Sequence, residues 1–240
     1  MKQRAAEQAK VICCLLFGCS VVLAVLYLPS LVHATSPITS SGLNTQVNLS
    51  QIPPPGKVQY DITGGTRPGG AAGTNLFHSF GNFNVPTNNI ANFLNSGSVD
   101  LAGNPLAAGL STSNILGRIN GGNPSSIFGM IQTNGPGGFP NANLFLMNPN
   151  GFLFGPTATI NVGGMVAFTT ADYMRLTDNA RFNAVAGPAD VLLTAAPVAA
   201  FGFLGNNPAA IAIQGSTLQV AQGQSLSLVG GEPGIHRHES

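Results

Sequence analysis

Short apolar runs separated by turn residues dominate the middle of the chain. They fall at Ile115–Ile119, Ile127–Gln132, Leu144–Met147, Phe152–Phe154, Thr159–Val162 and Met165–Phe168. Each is bounded by Gly, Asn or Pro, and several alternate apolar with polar, which is the strand-and-turn signature. The turns stand at Gly121-Gly122-Asn123-Pro124, Asn134-Gly135-Pro136-Gly137-Gly138, Asn148-Pro149-Asn150-Gly151 and Gly163-Gly164. From Ala209 the rhythm is cleaner. Ala210–Ile213, Leu218–Val220 and Ser225–Val229 predict three strands, each followed by a glycine turn. Only Ala171–Leu176 reads as one or two helical turns. Strands this short, joined by irregular corners, predict an all-β fold of stacked coils, a solenoid. Neighbouring coils of that kind stack Asn and Thr side chains into ladders. Residues 61–97 are rich in Gly, Asn and Phe. Residues 35–60 read as an extended lead-in, where Pro53-Pro54-Pro55-Gly56 forbids helix. Glu232–Ile235 reads as the start of another coil, ahead of a polar tail at 236–240. The expectation is a β-helical domain over 61–235 in a chain that is a piece of something longer.

The first 34 residues follow a different pattern. Lys2, Arg4 and Lys10 precede an apolar run from Val11 to Leu28, broken by Pro29, and Val32-His33-Ala34 offers a small-residue cleavage site. This predicts a secretory signal peptide over 1–34, cleaved after Ala34, rather than a retained anchor. Cys13, Cys14 and Cys19, the three cysteines of the chain, all lie within it. The mature chain therefore has no disulfide to undo before passing a transport pore.

Composition narrows the function. Of 240 residues, 31 are Gly, 17 Pro and 23 Asn, and only 7% are charged. Helical bundles and coiled coils are excluded, because their charged helix formers are missing. A nucleic-acid partner is excluded as well, since tracking phosphates needs clustered Lys and Arg. The mature chain has six Lys and Arg against seven Asp and Glu, with no patch of either sign. No nucleophile elbow, phosphate loop or metal-ligand spacing is present, so no cofactor or metal is expected. His236 and His238 belong to the polar tail. A β-helix carbohydrate-active enzyme or carbohydrate-binding module is the competing reading. It requires the few Asp and Glu side chains to converge in one groove, and scatter is expected instead.

Three sets of residues stand out. In Asn148-Pro149-Asn150-Gly151, Pro149 sets φ for the second position of a β-turn, Asn150 tolerates the third, and an Asn148 oxygen can accept from turn N–H groups. That is a structural corner or a secretion determinant. Arg67 and Arg118 sit in otherwise uncharged sequence and are expected at the surface or in a cap, bonded to backbone carbonyls. Phe77, Phe80 and Phe83 are expected in a packed core.

The stretch from Asn141 to Thr170, with Asn148-Pro149-Asn150-Gly151 at its centre, resembles the secretion domain of filamentous haemagglutinin-type, two-partner secretion exoproteins. Ser113–Ile119, Gly122–Ile127, Gly64–Gly70, Phe77–Phe80, Phe83–Pro86 and Ala196–Leu204 extend the resemblance over roughly 42–235. The resemblance implies a right-handed parallel β-helix with an N-terminal cap and extra-helical hairpins. It implies passage through the periplasm to the cell surface or the medium, and a partner: an outer-membrane β-barrel transporter that reads the domain with its periplasmic POTRA domains. The family's second, NPNL-type motif has two candidates here, Ser113-Asn114-Ile115-Leu116 and Asn141-Ala142-Asn143-Leu144. Asn114, Arg118 and Asn143 thus join Asn148–Gly151 as implied recognition residues. Adhesin activity, and any host or surface glycan, belongs to a downstream repeat region.

Overall fold

The computed structural model describes residues 36–231 and the backbone of 234–236; the signal segment and residues 237–240 lie outside the described residues. Eighteen strands follow one another with two short 3-10 turns between them. The lead-in forms β1 (Ile38–Gly42) and β2 (Thr45–Leu49), and β3 (Val58–Gly64) follows the proline run. Then come β4 (Asn75–Phe83), β5 (Asn89–Phe93), β6 (Asn114–Ile119), β7 (Ser125–Ile127), β8 (Met130–Gln132), β9 (Asn143–Met147), β10 (Phe152–Phe154), β11 (Thr159–Asn161) and β12 (Val166–Thr169). The last six are β13 (Tyr173–Leu176), β14 (Arg181–Asn183), β15 (Val198–Gly202), β16 (Ile211–Gln214), β17 (Leu226–Val229) and β18 (Gly234–His236).

Three of the four sheets are built from parallel pairs. The first runs β1-β4-β6-β9-β12-β17, the second β18-β16-β10-β7, and the third β11-β8-β5-β3-β2. The chain visits them in rotation: β6, β7, β8, then β9, β10, β11, then β12 and onward. Antiparallel pairing enters these sheets only where β1 joins β4 and β2 joins β3. The fourth sheet, β14-β13-β15, is antiparallel and inserted between β12 and β16.

This arrangement makes two cores. Ile115 and Ile119 of β6, Leu144 and Leu146 of β9 and Val166 and Phe168 of β12 point to the inside, where they meet Phe80, Phe93, Ile131, Phe152 and Phe154. Gly117 is part of that inner row: a Cβ there would stand 2.7 Å from Leu146 and 3.1 Å from Phe80. The alternate residues Phe77, Leu116, Phe145, Met147 and Ala167 point outward. They are covered by Met174, Leu176, Phe182 and Leu193 of the inserted segment. The middle of the first sheet, from β4 to β12, is therefore buried on both faces, and every residue of β6 is buried, as for strands sandwiched between two layers.

Three expectations are corrected. Ala171–Leu176 contains the strand β13 and no helix, because its edges pair with β14 and β15. Ile127–Gln132 is two strands, broken where the Phe128 and Gly129 N–H groups both donate to the Val85 carbonyl, at 2.7 and 2.8 Å. Leu218–Val220 is not a strand, although Leu218 and Val220 pack on the inner core. The backbone of β18 runs from Gly234 through His236.

Candidate functional site

The ladders expected from the Asn content are present. Asn75, Asn114 and Asn143 hold the same register on β4, β6 and β9. Asn143 donates its side-chain amide to Asn114 Oδ1 and Asn114 donates to Asn75 Oδ1, both at 2.9 Å. The series is closed at both ends. Asn143 Oδ1 accepts the Met165 N–H at 2.9 Å, and Asn75 Nδ2 donates to the carbonyls of Thr194 and Ala196 at 3.2 and 2.7 Å. A second ladder crosses the third sheet, from Asn161 through Gln132 and Asn92 to the Asp61 carboxylate. Parallel strand pairing brings these side chains into line, and buried amides there must find partners.

Asn148 sits at the corner between β9 and β10 and is fully buried. Its Nδ2 donates to the Asn123 carbonyl at 3.0 Å and to Ser125 Oγ at 2.9 Å, on the preceding coil. Its Oδ1 accepts the Asn150 N–H at 2.9 Å, and its main-chain carbonyl accepts the Gly151 N–H at 3.0 Å, closing the turn. Its own N–H donates to the Thr169 carbonyl at 2.9 Å, on the following coil. The Asn148 side chain thus shapes the turn and reaches Asn123 and Ser125, while its main-chain N–H reaches Thr169. Gly151 has φ of 109°, and a Cβ there would meet the Ala210 carbonyl oxygen at 2.8 Å, so the last position of the motif excludes other residues. Pro149 and Asn150 are half-buried. They line a recess of about 430 Å³ with Ile119, Ala184, Val185 and Ala186.

Arg118 and Arg67 are the two largest side chains that are fully buried, against the expectation of surface positions. Arg118 leaves the outer row of β6 and meets Asp190 in a two-pronged pair, both contacts 2.7 Å. Its Nε donates to Ser79 Oγ at 2.8 Å, its Nη1 reaches the Asn183 carbonyl at 3.2 Å, and its guanidinium lies 5.2 Å from the Phe182 ring centre. Burial of this cation is offset by a carboxylate, as physics requires. Arg67 has no carboxylate. It donates to the carbonyls of Gly73 and Ser111 at 2.8 and 2.9 Å and to Thr112 Oγ1 at 2.7 Å, and desolvation lowers its pKa. Backbone carbonyls do hold it, as expected. Phe77, Phe80 and Phe83 are buried core residues, also as expected.

His78 has no counterpart in the sequence reading. Its ring is buried between Phe80 and Phe93, with Nδ1 3.2 Å from Thr45 Oγ1. Thr45 Oγ1 already accepts the Ser79 N–H at 2.9 Å. Burial, and secondarily the Arg67 charge, lowers the His78 pKa from 6.5 to about 3. The unfolded chain takes up a proton below 6.5 that the folded chain refuses. Stability from this group is complete above that value and is lost as pH falls toward 3. Equilibrium unfolding should show a loss of about 1.4 kcal/mol per pH unit through the upper part of that window. The His78→Gln variant should lack this dependence.

The acidic groups are dispersed. Among the described residues Asp61 terminates a ladder, Asp172 accepts the Leu204 N–H, Asp178 accepts the Ala180 N–H, and Asp100 and Asp190 share a recess. Asp190 is committed to Arg118, and Asp100 holds the N–H groups of Ala102 and Asn104. Among the described residues no three His, Cys, Asp or Glu side chains form a metal-binding group, and no helix is long and apolar enough to cross a membrane.

A family model described as TPS secretion domain matches residues 38–238. The chain belongs to the two-partner secretion (TPS) domain family. The match spans every described strand. TPS domains are non-enzymatic secretion domains of exoproteins that leave through the Gram-negative envelope with a cognate outer-membrane transporter. A search of curated proteins found no match. In this TPS chain the Asn148–Gly151 corner is buried at Asn148, and Pro149 and Asn150 line a recess.

Proposed function

We propose that residues 36–236 direct export of an adhesin-type exoprotein and are recognised by the periplasmic POTRA domains of its transporter. The match of the family over 38–238 carries this reading. The chain enters the periplasm behind the 1–34 signal, which is cleaved after Ala34, and reaches the cell surface or the medium as a folded domain. The architecture is a right-handed parallel β-helix, with β1 and β2 as the N-terminal cap and the β13–β15 segment as the extra-helical hairpins. Its support is the rotation of successive strands through three parallel sheets.

The roles within the motif divide. Asn148 and Gly151 build the corner, and Asn114 and Asn143 carry the ladder beside it. Pro149 and Asn150 are the parts that a transporter can touch, because they face the recess with Val185, whose side chain is 78% exposed. An export assay tests this division. The pair Asn148→Ala and Asn150→Ala should lower the amount of domain in the medium. Asn150→Ala alone should lower export while leaving the unfolding midpoint nearly unchanged. Wild-type export by the double variant would overturn the reading of this motif as a secretion determinant.

A further inference from the structure

The segment between β14 and β15 crosses the outer face of the first sheet without forming a strand. A 3-10 turn at Pro188–Leu192 carries Asp190, and Leu193 is buried beyond it. The crossing is pinned at two margins. At one, Asp190 and the Asn183 carbonyl bind Arg118. At the other, the carbonyls of Thr194 and Ala196 bind Asn75. Between the margins, Leu193 belongs to the apolar outer cluster with Phe77 and Leu116. The ends of the crossing are also tied to the insert, the Ala184 N–H donating to the Asp172 carbonyl at 2.8 Å and the Thr177 N–H to the Pro197 carbonyl at 2.9 Å, while its middle is exposed. Val185, Val191 and Leu192 are 78, 72 and 68% exposed, and recesses lie on both sides, one beside Pro149 and Asn150 and the other beside Leu43 and Val99.

The base of the insert is tied independently. The Asp172 N–H donates to the Gly202 carbonyl at 2.9 Å, and the Leu204 N–H donates to the Asp172 carboxylate at 2.6 Å. The crossing can therefore lift while β13, β14 and β15 stay paired. The two ends of the catch are also far apart in sequence: Arg118 and Asp190 are separated by 72 residues, whereas the Asn ladder joins residues 39 and 29 apart. Closure of such a distant pair follows the local contacts that build the coils.

We propose that residues 184–197 form a releasable strap, with the Arg118–Asp190 pair as its catch. Closed, the strap seals Phe77 and Leu116. Open, it uncovers that apolar row and the Asn ladder beside it while the coils remain folded. The catch reaches further than the strap, because Arg118 Nε is bonded to Ser79 Oγ, and Ser79 Oγ lies 2.9 Å from Ser41 Oγ on β1. Strap and N-terminal cap are thereby held by one continuous polar line, Ser41–Ser79–Arg118–Asp190.

Hydrogen exchange of the purified mature chain, with no transporter present, tests the strap independently of its role in export. In Asp190→Asn, which keeps size and loses charge, amides of 184–196 should exchange at least about tenfold faster. Interior amides of β6, β9 and β12 should keep their protection. The milder Arg118→Lys, which cannot make the two-pronged contact, should accelerate the same amides by a smaller factor. Unchanged strap exchange in both variants would overturn the proposal. Acceleration of strap and coil by one common factor would also overturn it, because the strap would then open only with the whole domain.

Discussion

Replacing Asn148 by Ala should destabilise the domain by about 2–4 kcal/mol, the cost of stripping partners from several buried polar groups at once. The substitution removes two donated bonds to the preceding coil and the acceptor of the Asn150 N–H. It leaves Ser125 Oγ and the Asn123 carbonyl facing a small apolar cavity. Asn148 and Ser125 are both fully buried, so no solvent reaches the Ser125 hydroxyl in compensation. Asn150 is different: its side chain makes one intramolecular bond, to Asn148 Oδ1 at 3.2 Å, and is half-buried. Asn150→Ala should cost under about 1 kcal/mol. Urea unfolding of both variants checks the contrast. Equal losses would contradict the assignment of the frame to Asn148 and of the accessible surface to Asn150.

The second large effect is expected at Arg118. Arg118→Met should cost about 3 kcal/mol, at the lower end for breaking a buried pair, because the Asp190 side chain keeps 22% exposure and can partly rehydrate. The loss includes the bond to Ser79 and the ring contact with Phe182. A second substitution discriminates charge from packing. In Arg118→Met with Asp190→Leu, no carboxylate is left unpaired, and more than half of the lost stability should return, since buried ion pairs are often replaceable by apolar groups of similar volume. Additive losses in the two single variants and the double variant would show that Arg118 stabilises through its own packing and not through Asp190.

The parts of this fold that were legible in the sequence are those where burial is one-sided or where turn residues mark both ends. β9, β10, β12 and β16 are short apolar runs between Gly, Asn and Pro, and all lie where the pattern puts them. β4 was not legible. Its sequence NLFHSFGNF has six consecutive buried residues followed by two half-buried ones, because the middle of the first sheet is covered on both faces and no period of two survives. Its polar residues look like loop, yet His78 is buried through Thr45 and Ser79 through Arg118. Likewise the residues ADYMRL carry good helix formers. Pairing with β14 and β15 overrides that local preference.

The candidate site was half legible. Asn-Pro-Asn-Gly announces a turn by its own chemistry, and Asn content announces ladders, so both were found. Arg118 was noticed because a cation is rare in this chain. Its burial was not foreseen, because the carboxylate that makes burial tolerable lies 72 residues away. Nothing local to either residue marks the pair. The same holds for Asn75, whose partners Thr194 and Ala196 lie 119 and 121 residues downstream. The contacts that fix the inserted segment are the most distant in sequence. A pattern of local runs cannot contain them.

Transporter-dependent export tests the central claim most directly. The chain is co-expressed with its cognate transporter and without it, and the medium is assayed for a product beginning at Thr35. The account predicts that the product appears only with the transporter. Retention in the periplasm, while the same transporter exports another substrate, would contradict it.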